Sequence, residues 1–262
     1  MILADKILVI SGVGPGLGRE MALLGAKEGA SLVLAARSRD RLDAVKAEVM
    51  VQTPGARVLC QPADIQQRGD CQALVAATLA EFGRLDVLIN SAYTTGPDAL
   101  AAEADLDVWR QTLEVNLFGT LQLIQETVPA MKAAGGGSIV NVNTKVARMA
   151  LAGMGGYAVS KAALRMATTQ LAKELGEYRI RVNSIFPGWM WGDTVISGLQ
   201  PVADAQGIGL AELRAKIARD IPLGDIPTDG ECAKGVLALA SDYFSATTGA
   251  CLDLSGGEYM PL

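Results

Sequence analysis

KILVISGVGPGLGREMALLGAKEG, residues 6–29, predicts a β-strand, a glycine-rich turn and an α-helix in direct succession. Gly12, Gly16 and Gly18 have the spacing G-x-x-x-G-x-G, which lets the backbone turn tightly and approach a pyrophosphate group. The charge of that group would lie at the amino end of the helix, which begins near Leu17. A tight turn that needs glycine for steric reasons alone is the alternative interpretation.

Short apolar segments rich in β-branched residues recur along the whole chain and alternate with helical patterns, such as those of 19–29 and 162–175. This alternation is typical of repeated βαβ units, and no Pro/Gly/Ser-rich linker divides the chain. We therefore predict an α/β fold, a Rossmann-type doubly wound parallel sheet, formed by a single domain over residues 1–262. The predicted strands are 6–10, 31–36, 56–61, 85–90, 137–143, 180–186 and 250–254.

One interval, residues 188–222, contains no predicted strand. Several glycines and Pro201 predict a long loop there, followed by a short helix over 211–220. Because long insertions in compact domains commonly form lids or binding loops, we expect this interval to bind the substrate.

Composition limits the classes of partner. The 262-residue chain is 50% hydrophobic and 19% charged, with a formal net charge of -5. This negative charge, without a clustered Lys/Arg face, argues against a nucleic-acid partner. The chain has no stretch of the roughly 18 apolar residues needed to span a bilayer, and its amino terminus lacks the apolar core of a secretory signal. We therefore expect a cytoplasmic protein without a membrane or nucleic-acid partner.

Residue types also limit the chemistry. The chain has no histidine, and its four cysteines form no Cys-x-x-Cys pair, so a Cys/His metal site is excluded and no metal is expected.

Tyr157 and Lys161, at i and i+4, project from one face of a helix. An ammonium so placed can lower the pKa of the phenol toward neutral pH and make it a usable acid or base. An ordinary exposed helix face is the alternative.

The end of the second predicted strand bears on the choice of cofactor. An NAD-binding protein usually offers an acidic residue to the ribose hydroxyls at this point, whereas here Ala36 is followed by Arg37. Alanine leaves room and arginine supplies positive charge for a 2′-phosphate, so the pair favours NADP, with NAD possible. A solvated arginine at a strand end is the alternative interpretation.

Taken together, these motifs resemble those of the short-chain dehydrogenase/reductase family, and they occur along nearly the whole chain in the family's order. The quoted turn matches TGxxxGxG, and YAVSK matches YxxxK. The matching segments are SGVGPGLG (11–18), AD (63–64), NSAY (90–93), VNLFG (115–119), YAVSK (157–161), FPG (186–188) and TGACLDLSGG (248–257).

The resemblance implies an oxidoreductase and assigns catalytic roles. Tyr157 would give a proton to a ketone or accept one from an alcohol, and Lys161 would hold the nicotinamide ribose and lower the pKa of the tyrosine. Asn116 would help to hold a water in the proton relay. Thr144 occupies the position of the family's serine, and its hydroxyl can donate the same hydrogen bond to a substrate oxygen.

The resemblance also implies cofactor contacts, among them an acidic residue that contacts adenine, and a homo-tetramer or homo-dimer. Gly192 departs from the family, because a threonine is often found shortly after the Pro-Gly turn. The cofactor-binding residues are Gly12, Gly16, Leu17, Gly18, Arg37, Asp64, Ile65, Asn90, Ala92, Tyr157, Lys161, Pro187 and Gly188.

Aromatic residues near the expected nicotinamide site indicate the substrate. Tyr93 replaces the usual glycine and is expected either to point into the cleft or to pack only. Two tryptophans after the Pro-Gly turn favour a small-molecule apolar substrate, a hydrophobic ketone or secondary alcohol, with loop packing as their alternative role. The candidate substrate-binding residues are Tyr93, Thr144, Met154, Trp189 and Trp191.

Two other functions fit parts of this pattern. An NAD-dependent alcohol dehydrogenase of the same family would use the same catalytic residues in the oxidative direction. A dinucleotide-binding sensor without turnover would need the glycine turn and Arg37, but it has no use for an acid–base tyrosine.

Overall fold

Seven parallel strands form the centre of the protein. A computed structural model describes residues 1–260 and places all seven strands in one sheet, in the order β3-β2-β1-β4-β5-β6-β7. The predicted strands agree with the observed ones to within two residues. The strands are β1 (Ile7–Ser11), β2 (Ser31–Ala36), β3 (Val58–Pro62), β4 (Val87–Asn90), β5 (Gly137–Val142), β6 (Ile180–Pro187) and β7 (Cys251–Leu254).

Nine α-helices connect and cover the strands within residues 1–260, and none of them has the length and apolar run needed to cross a bilayer. A π-helical turn, Glu114–Gly119, joins the fourth helix to the fifth. The helices are α1 (Leu17–Lys27), α2 (Arg39–Gln52), α3 (Arg68–Phe82), α4 (Leu106–Leu113), α5 (Thr120–Ala133), α6 (Gly155–Leu175), α7 (Asp193–Gln206), α8 (Leu210–Ala218) and α9 (Asp229–Ala240).

The sheet has an apolar core on each face. Side chains alternate along β1, so that Leu8 and Ile10 face one core while Ile7 and Val9 face the other. Buried residues of α1, α2 and α9 cover the first face, and those of α3, α5 and α6 cover the second. This two-sided cover explains why the strands are almost continuously hydrophobic in sequence, and it confirms the predicted doubly wound α/β fold.

The strand register places the carboxyl ends of the central strands side by side. Ser11 at the end of β1 pairs with Ala35 of β2 and with Asn90 of β4, and Asn90 in turn pairs with Asn141 of β5. The chain leaves β1 toward β2 on one side and returns as β4 on the other, so a crevice opens between β1 and β4. Ligands of open α/β sheets bind at such a switch point.

The interval 188–222 differs from its prediction, because residues 193–206 form helix α7 rather than a loop. Gly198 and Pro201 lie inside that helix and disfavour it locally. Packing overrides this preference: Leu199 and Ala203 are buried against Leu213 of α8. α6 also begins seven residues earlier than the predicted 162–175.

Close packing of α1 on the turn after β1 gives a first prediction. A Cβ atom at Gly18 would lie 2.6 Å from the Gly12 carbonyl oxygen, whereas a Cβ at Gly14 would meet nothing within 4 Å. We expect Gly18→Ala to lower the free energy of unfolding in urea by about 1–3 kcal/mol, because backbone must move to relieve the clash. Gly14→Ala is the matched control and should stay within about 0.5 kcal/mol of wild type. Equal stability of the two variants would contradict this packing argument.

Candidate active site

A cleft of about 1140 Å³ lies at the carboxyl ends of the strands. It runs from the glycine turn and the start of α2 to the first turn of α6 and the segment after β6. Most of the residues predicted from the sequence line it. Those residues are Gly12, Gly16, Leu17, Gly18, Arg37, Asp64, Ile65, Ala92, Tyr93, Thr144, Met154, Tyr157, Lys161, Pro187, Gly188 and Trp189.

Asn90 does not line the cleft, contrary to its prediction. It is the last residue of β4 and 4% exposed, and its amide nitrogen donates a hydrogen bond of 2.9 Å to Asn141 Oδ1 on β5. A buried amide must find partners, and the neighbouring strand offers one. The side chain of Asn90 therefore belongs to the interior of the sheet.

Asn116 is also turned away from the cleft. It is fully buried in the π-helical turn, where its Nδ2 donates to the Thr94 carbonyl at 2.8 Å and to Ser160 Oγ at 2.9 Å. Its Oδ1 accepts from the Thr94 backbone N–H. Both amide hydrogens are thus engaged by protein groups. The role of Asn116 in holding a water stays a prediction. The Ser160 hydroxyl in turn donates a hydrogen bond to the Tyr157 backbone carbonyl.

Trp191 lies outside the cleft as well. It packs among the apolar side chains of α7 and α8, and the Arg214 guanidinium lies 4.7 Å from its ring centroid. Its backbone N–H donates to the Pro227 carbonyl at 2.7 Å. This contact anchors the segment after β6, so the two tryptophans divide the roles: Trp189 lines the cleft and Trp191 packs behind it.

The glycine turn forms an anion site at the start of α1. Gly12 has φ +92°, and a Cβ there would lie 2.2 Å from the Ala92 nitrogen, so only glycine allows this close approach. The N–H groups of Leu17 and Gly18 have no acceptor within residues 1–260. Free N–H groups at the positive end of a helix dipole suit a phosphate group.

The α2 end of the cleft is positively charged. Arg37 and Arg41 both line it, and neither guanidinium makes an ion pair with any residue of 1–260. Arg39, between them, pairs instead with Asp43 on the outer face of α2 at 2.9 Å. Ser38 caps α2 by accepting from the Arg41 N–H. The cleft therefore offers two uncommitted guanidinium groups where an adenosine phosphate would lie.

Lys161 and Tyr157 lie on the first turns of α6, one turn apart. Lys161 is 2% exposed, and its Nζ donates a hydrogen bond of 2.7 Å to the Val142 carbonyl at the end of β5. Burial lowers the pKa of Lys161 from 10.5 to about 7. Burial also raises the pKa of Tyr157 above its ordinary 10.0, and nearby Tyr93 adds to the effect.

The expected lowering of the tyrosine pKa by Lys161 therefore does not appear in the protein alone. A lysine that has lost much of its charge to burial has little field to offer the phenol. Thr144, another predicted catalytic residue, does lower the pKa of Tyr157 through its hydroxyl. Tyr157 keeps its proton at neutral pH in this state, which is the form of a proton donor.

Thr144 and Tyr93 complete the surroundings of the phenol. Thr144 follows β5 and is 9% exposed, and its Oγ1 also accepts from the Val146 N–H at 3.4 Å. The Tyr93 ring is half exposed, and its centroid lies 6.1 Å from that of Tyr157. The Lys161 Nζ lies 6.0 Å from the Tyr93 centroid. Of the two roles predicted for Tyr93, the structure therefore has the side chain in the cleft.

Two basic residues after Thr144 are neutralised by the carboxyl-terminal segment. Lys145 pairs with Glu258, and Arg148 pairs with Asp253 at 2.7 Å. Neither base lines the cleft. This part of the cleft therefore presents mainly uncharged groups around Tyr157, together with Met154 and Met190, of which Met190 was not predicted.

Asp229 is a further cleft residue that the sequence did not reveal. It is the first residue of α9 and lies between Thr228 and Glu231, the two members of the capping box, and an acidic residue in that place ordinarily indicates only a helix start. Only the fold brings α9 against α1 and places Asp229 beside the glycine turn.

A cleft with an anion site, two free guanidinium groups and a Tyr–Lys pair fits a nicotinamide dinucleotide and defines an oxidoreductase. A family model described as Enoyl-(Acyl carrier protein) reductase matches residues 12–258. The chain belongs to the short-chain dehydrogenase/reductase family, and it is an enzyme of that oxidoreductase class.

Known relatives align over nearly their full length. Trans-4-hydroxycyclohexanecarboxylate dehydrogenase of Sinomonas cyclohexanicum is 34% identical over 97% of this chain and 93% of its own. The 7alpha-hydroxysteroid dehydrogenase of Escherichia coli is 31% identical over 99% of this chain and 96% of its own. The crystal structure of L-sorbose reductase from Gluconobacter frateurii, complexed with NADPH and L-sorbose, has a TM-score of 0.94 and 30% identity over 100% of both chains.

The buried lysine gives a prediction for stability against pH. Because the pKa of Lys161 is lowered from 10.5 to about 7, the unfolded chain holds this proton over a pH range in which the folded protein has lost it. The free energy of unfolding of the wild-type protein therefore increases as pH rises from about 7 to about 10, because the energetic cost of burying Lys161 decreases over that range. We expect Lys161→Met to be more stable than wild type at pH 7 by roughly 2–4 kcal/mol, and the gap to narrow toward pH 10.

Thermal or urea unfolding at several pH values measures this gap. Lys173→Met, an exposed lysine on the same helix, is the control and should show no such pH-dependent gap. A gap for Lys161→Met that stays constant between pH 7 and pH 10 would contradict the assignment of a neutral buried amine.

Proposed function

We propose that this protein is an NADP(H)-dependent oxidoreductase that transfers hydride between nicotinamide and a hydrophobic ketone or secondary alcohol. One observation carries the proposal: Tyr157 and Lys161 line the same cleft as the glycine turn and the unpaired Arg37. A site that only binds a dinucleotide has no need of a protonated phenol at the opposite end of the cleft.

Each residue near the phenol has a part in this proposal. When bound, the nicotinamide supplies a hydride to the carbonyl carbon. Tyr157 gives its phenolic proton to the carbonyl oxygen, and the Thr144 hydroxyl orients that oxygen by a hydrogen bond. Lys161 holds the ribose, since its Nζ gives one hydrogen bond to the Val142 carbonyl and has further N–H donors for the ribose hydroxyls. In the oxidative direction, Tyr157 takes the proton of the alcohol.

Asn116 acts as a positioning residue in this scheme. Its amide links Thr94, beside Tyr93, to Ser160 on α6, and Ser160 in turn donates to the Tyr157 carbonyl. Holding the first turn of α6 fixes the phenol relative to Thr144. Geometry fixed in advance in this way is what efficient proton transfer needs.

The cofactor preference rests on the α2 end of the cleft. Ala36 leaves space there, and Arg37 and Arg41 supply two uncommitted positive charges for a 2′-phosphate. The L-sorbose reductase was solved with NADPH, which supports the same choice. Asp64 contacts adenine in this proposal, beside Ile65 on the cleft wall. Use of NAD is the competing possibility.

The substrate proposal rests on the neutral, largely apolar end of the cleft. Tyr93, Met154 and Trp189 would form its walls, with the segment of 188–222 as the substrate-binding cover. Two relatives are named for a hydroxylated cyclohexanecarboxylate and a hydroxysteroid, and both names support a cyclic secondary alcohol or the matching ketone.

Assembly into a homo-dimer or homo-tetramer is part of this proposal. Large apolar side chains are exposed on α4, on the π-helical turn and on α6, and they include Leu106, Phe118, Val159 and Met166. A surface of this kind is commonly covered by a second subunit.

The first test is turnover by a tyrosine variant. We expect Tyr157→Phe to lower kcat for NADPH-dependent reduction of a cyclohexanone by about 10²-fold or more, because the proton donor is lost while the ring remains. Tyr243→Phe, which removes a hydroxyl from an 80% exposed tyrosine, is the control and should keep wild-type activity. NADPH oxidation is followed by absorbance. Unchanged turnover in Tyr157→Phe would refute the mechanism.

The second test concerns the choice between cofactors. Removing a charged contact to a phosphate costs about 1.5–3 kcal/mol, so Arg37→Ala should raise KM for NADPH by roughly 10–100-fold. KM for NADH should change by less than about threefold, since NADH has no 2′-phosphate for the lost charge. Arg39→Ala is the control, because Arg39 pairs with Asp43. Equal changes for NADPH and NADH would exclude a 2′-phosphate contact.

A further inference from the structure

The carboxylate of Asp229 occupies the space beside Gly192 in which a side chain at residue 192 would lie. A Cβ atom on Gly192 would lie 1.7 Å from Asp229 Oδ2, so even an alanine at 192 would collide with this carboxylate. At this point of the chain, shortly after the Pro-Gly turn, the family often has a threonine. In this protein the carboxylate of Asp229 takes the space that such a side chain would fill.

The same carboxylate faces the anion site. Asp229 Oδ2 lies 3.3 Å from a Cβ built on Gly16, the residue that precedes α1, and Thr194 Oγ1 lies 3.3 Å from the same point. Asp229 is only 9% exposed. An acidic group is thus held against the helix start to which a diphosphate would bind.

No cation compensates this charge. Within residues 1–260, the carboxylate of Asp229 takes part in no ion pair and accepts no hydrogen bond. The charged groups around it are acidic, namely Glu20 of α1 and Asp193 of α7, and they raise the pKa of Asp229 together with burial, the largest cause. Arg19 is committed to Glu20 and Glu48.

The remaining titratable groups near Asp229 do not supply positive charge either. Glu231 lies on the same helix and completes the capping box, Cys232 is buried beside it, and Tyr93 lies across the cleft. Stabilisation of the α9 dipole does not explain the burial of Asp229, since an exposed acidic residue would serve equally well. Asp229 lines the cleft, and a largely buried acidic residue without a protein partner at a cleft wall is a candidate for contact with a ligand.

We propose that Asp229 is a cofactor-binding residue that is protonated when the dinucleotide is bound and donates a hydrogen bond to an oxygen of its diphosphate. This inference rests on the proposed dinucleotide-dependent function. The anionic diphosphate and a charged carboxylate cannot share the start of α1 without strong repulsion. Binding therefore takes up a proton, and the affinity for the cofactor falls as pH rises above the pKa of the free carboxyl group.

Calorimetric titration with NADPH measures this proton directly. At pH 7, titrations in buffers of different ionisation enthalpy give the number of protons taken up on binding. We expect wild type to take up more protons than Asp229→Asn, by up to about one, because asparagine donates the same hydrogen bond without titrating. Protonation of Lys161 and of the 2′-phosphate occurs in both proteins and cancels in the difference.

The affinities give a second readout. Asp229→Asn should bind NADPH more tightly than wild type wherever the free wild-type carboxyl group is ionised, and the ratio of the two affinities should increase with pH, by at most about tenfold per pH unit. Asp193→Asn is the control for the general field of the carboxylate cluster, and its proton uptake should match that of wild type. Unfolding temperatures of all three proteins verify that they are folded.

Equal proton uptake by wild type and Asp229→Asn, with NADPH bound by both, would overturn the role of Asp229 alone. If proton uptake on NADPH binding falls as much in Asp193→Asn as in Asp229→Asn, the role of Asp229 would be overturned too. The effect would then arise from the general field of the carboxylates Glu20, Asp193 and Asp229. Absence of dinucleotide binding by all three folded proteins would overturn the proposed function together with this inference.

Discussion

Two backbone segments touch at the centre of the molecule, and the position of the site depends on that contact. The turn after β1 lies so close to the end of β4 that a Cβ on Gly12 would be 2.2 Å from the Ala92 nitrogen, and a Cβ on Gly18 of α1 would be 2.6 Å from the Gly12 carbonyl oxygen. Both distances require glycine. Because the strands are parallel and in register, this contact fixes the start of α1 beside the ends of β4 and β5. Anion site and acid–base residues thereby face one crevice.

A chain of buried polar side chains supports the floor of that crevice. Asn90 donates to Asn141, Asn141 donates to Thr168 of α6, and Thr168 Oγ1 lies 3.1 Å from Ser184 Oγ on β6. Asn143 also donates to Ser184, and it directly precedes Thr144. These hydrogen bonds link β4, β5, β6 and α6 one layer below the catalytic residues. Interior hydrogen-bond networks of this kind rigidify a core, which is what a site that depends on angstrom-level placement needs. One atom of the network, Asn143 Oδ1, is buried without a partner.

Residues whose role follows from local pattern could be predicted from the sequence, and those whose role depends on packing could not. The strands, the glycine turn and the Tyr157–Lys161 spacing are periodic or local features, and the fold agrees with them. Residues 193–206 carry Gly198 and Pro201, so their helix arises only from packing on α8. The position of Asp229 follows from α9 lying against α1, a contact between segments about 200 residues apart.

The two ends of the cleft differ in electrostatic character, one being positively charged and the other largely uncharged. Arg37 and Arg41 leave positive charge uncommitted at the α2 end. At the other end, burial lowers the pKa of Lys161 to about 7 and keeps Tyr157 in its protonated form, so these two groups carry less charge than an exposed lysine and a phenolate would. Further charge at that end would come from the cofactor and from the proton transfer itself. In a desolvated site those interactions are stronger than in water, because no solvent competes for them. Burial of the lysine destabilises the folded protein and at the same time makes its later interaction with a ribose more favourable. Desolvation of the Lys161 ammonium therefore both lowers the free energy of unfolding of the free protein and strengthens the interaction of this group with a bound ribose.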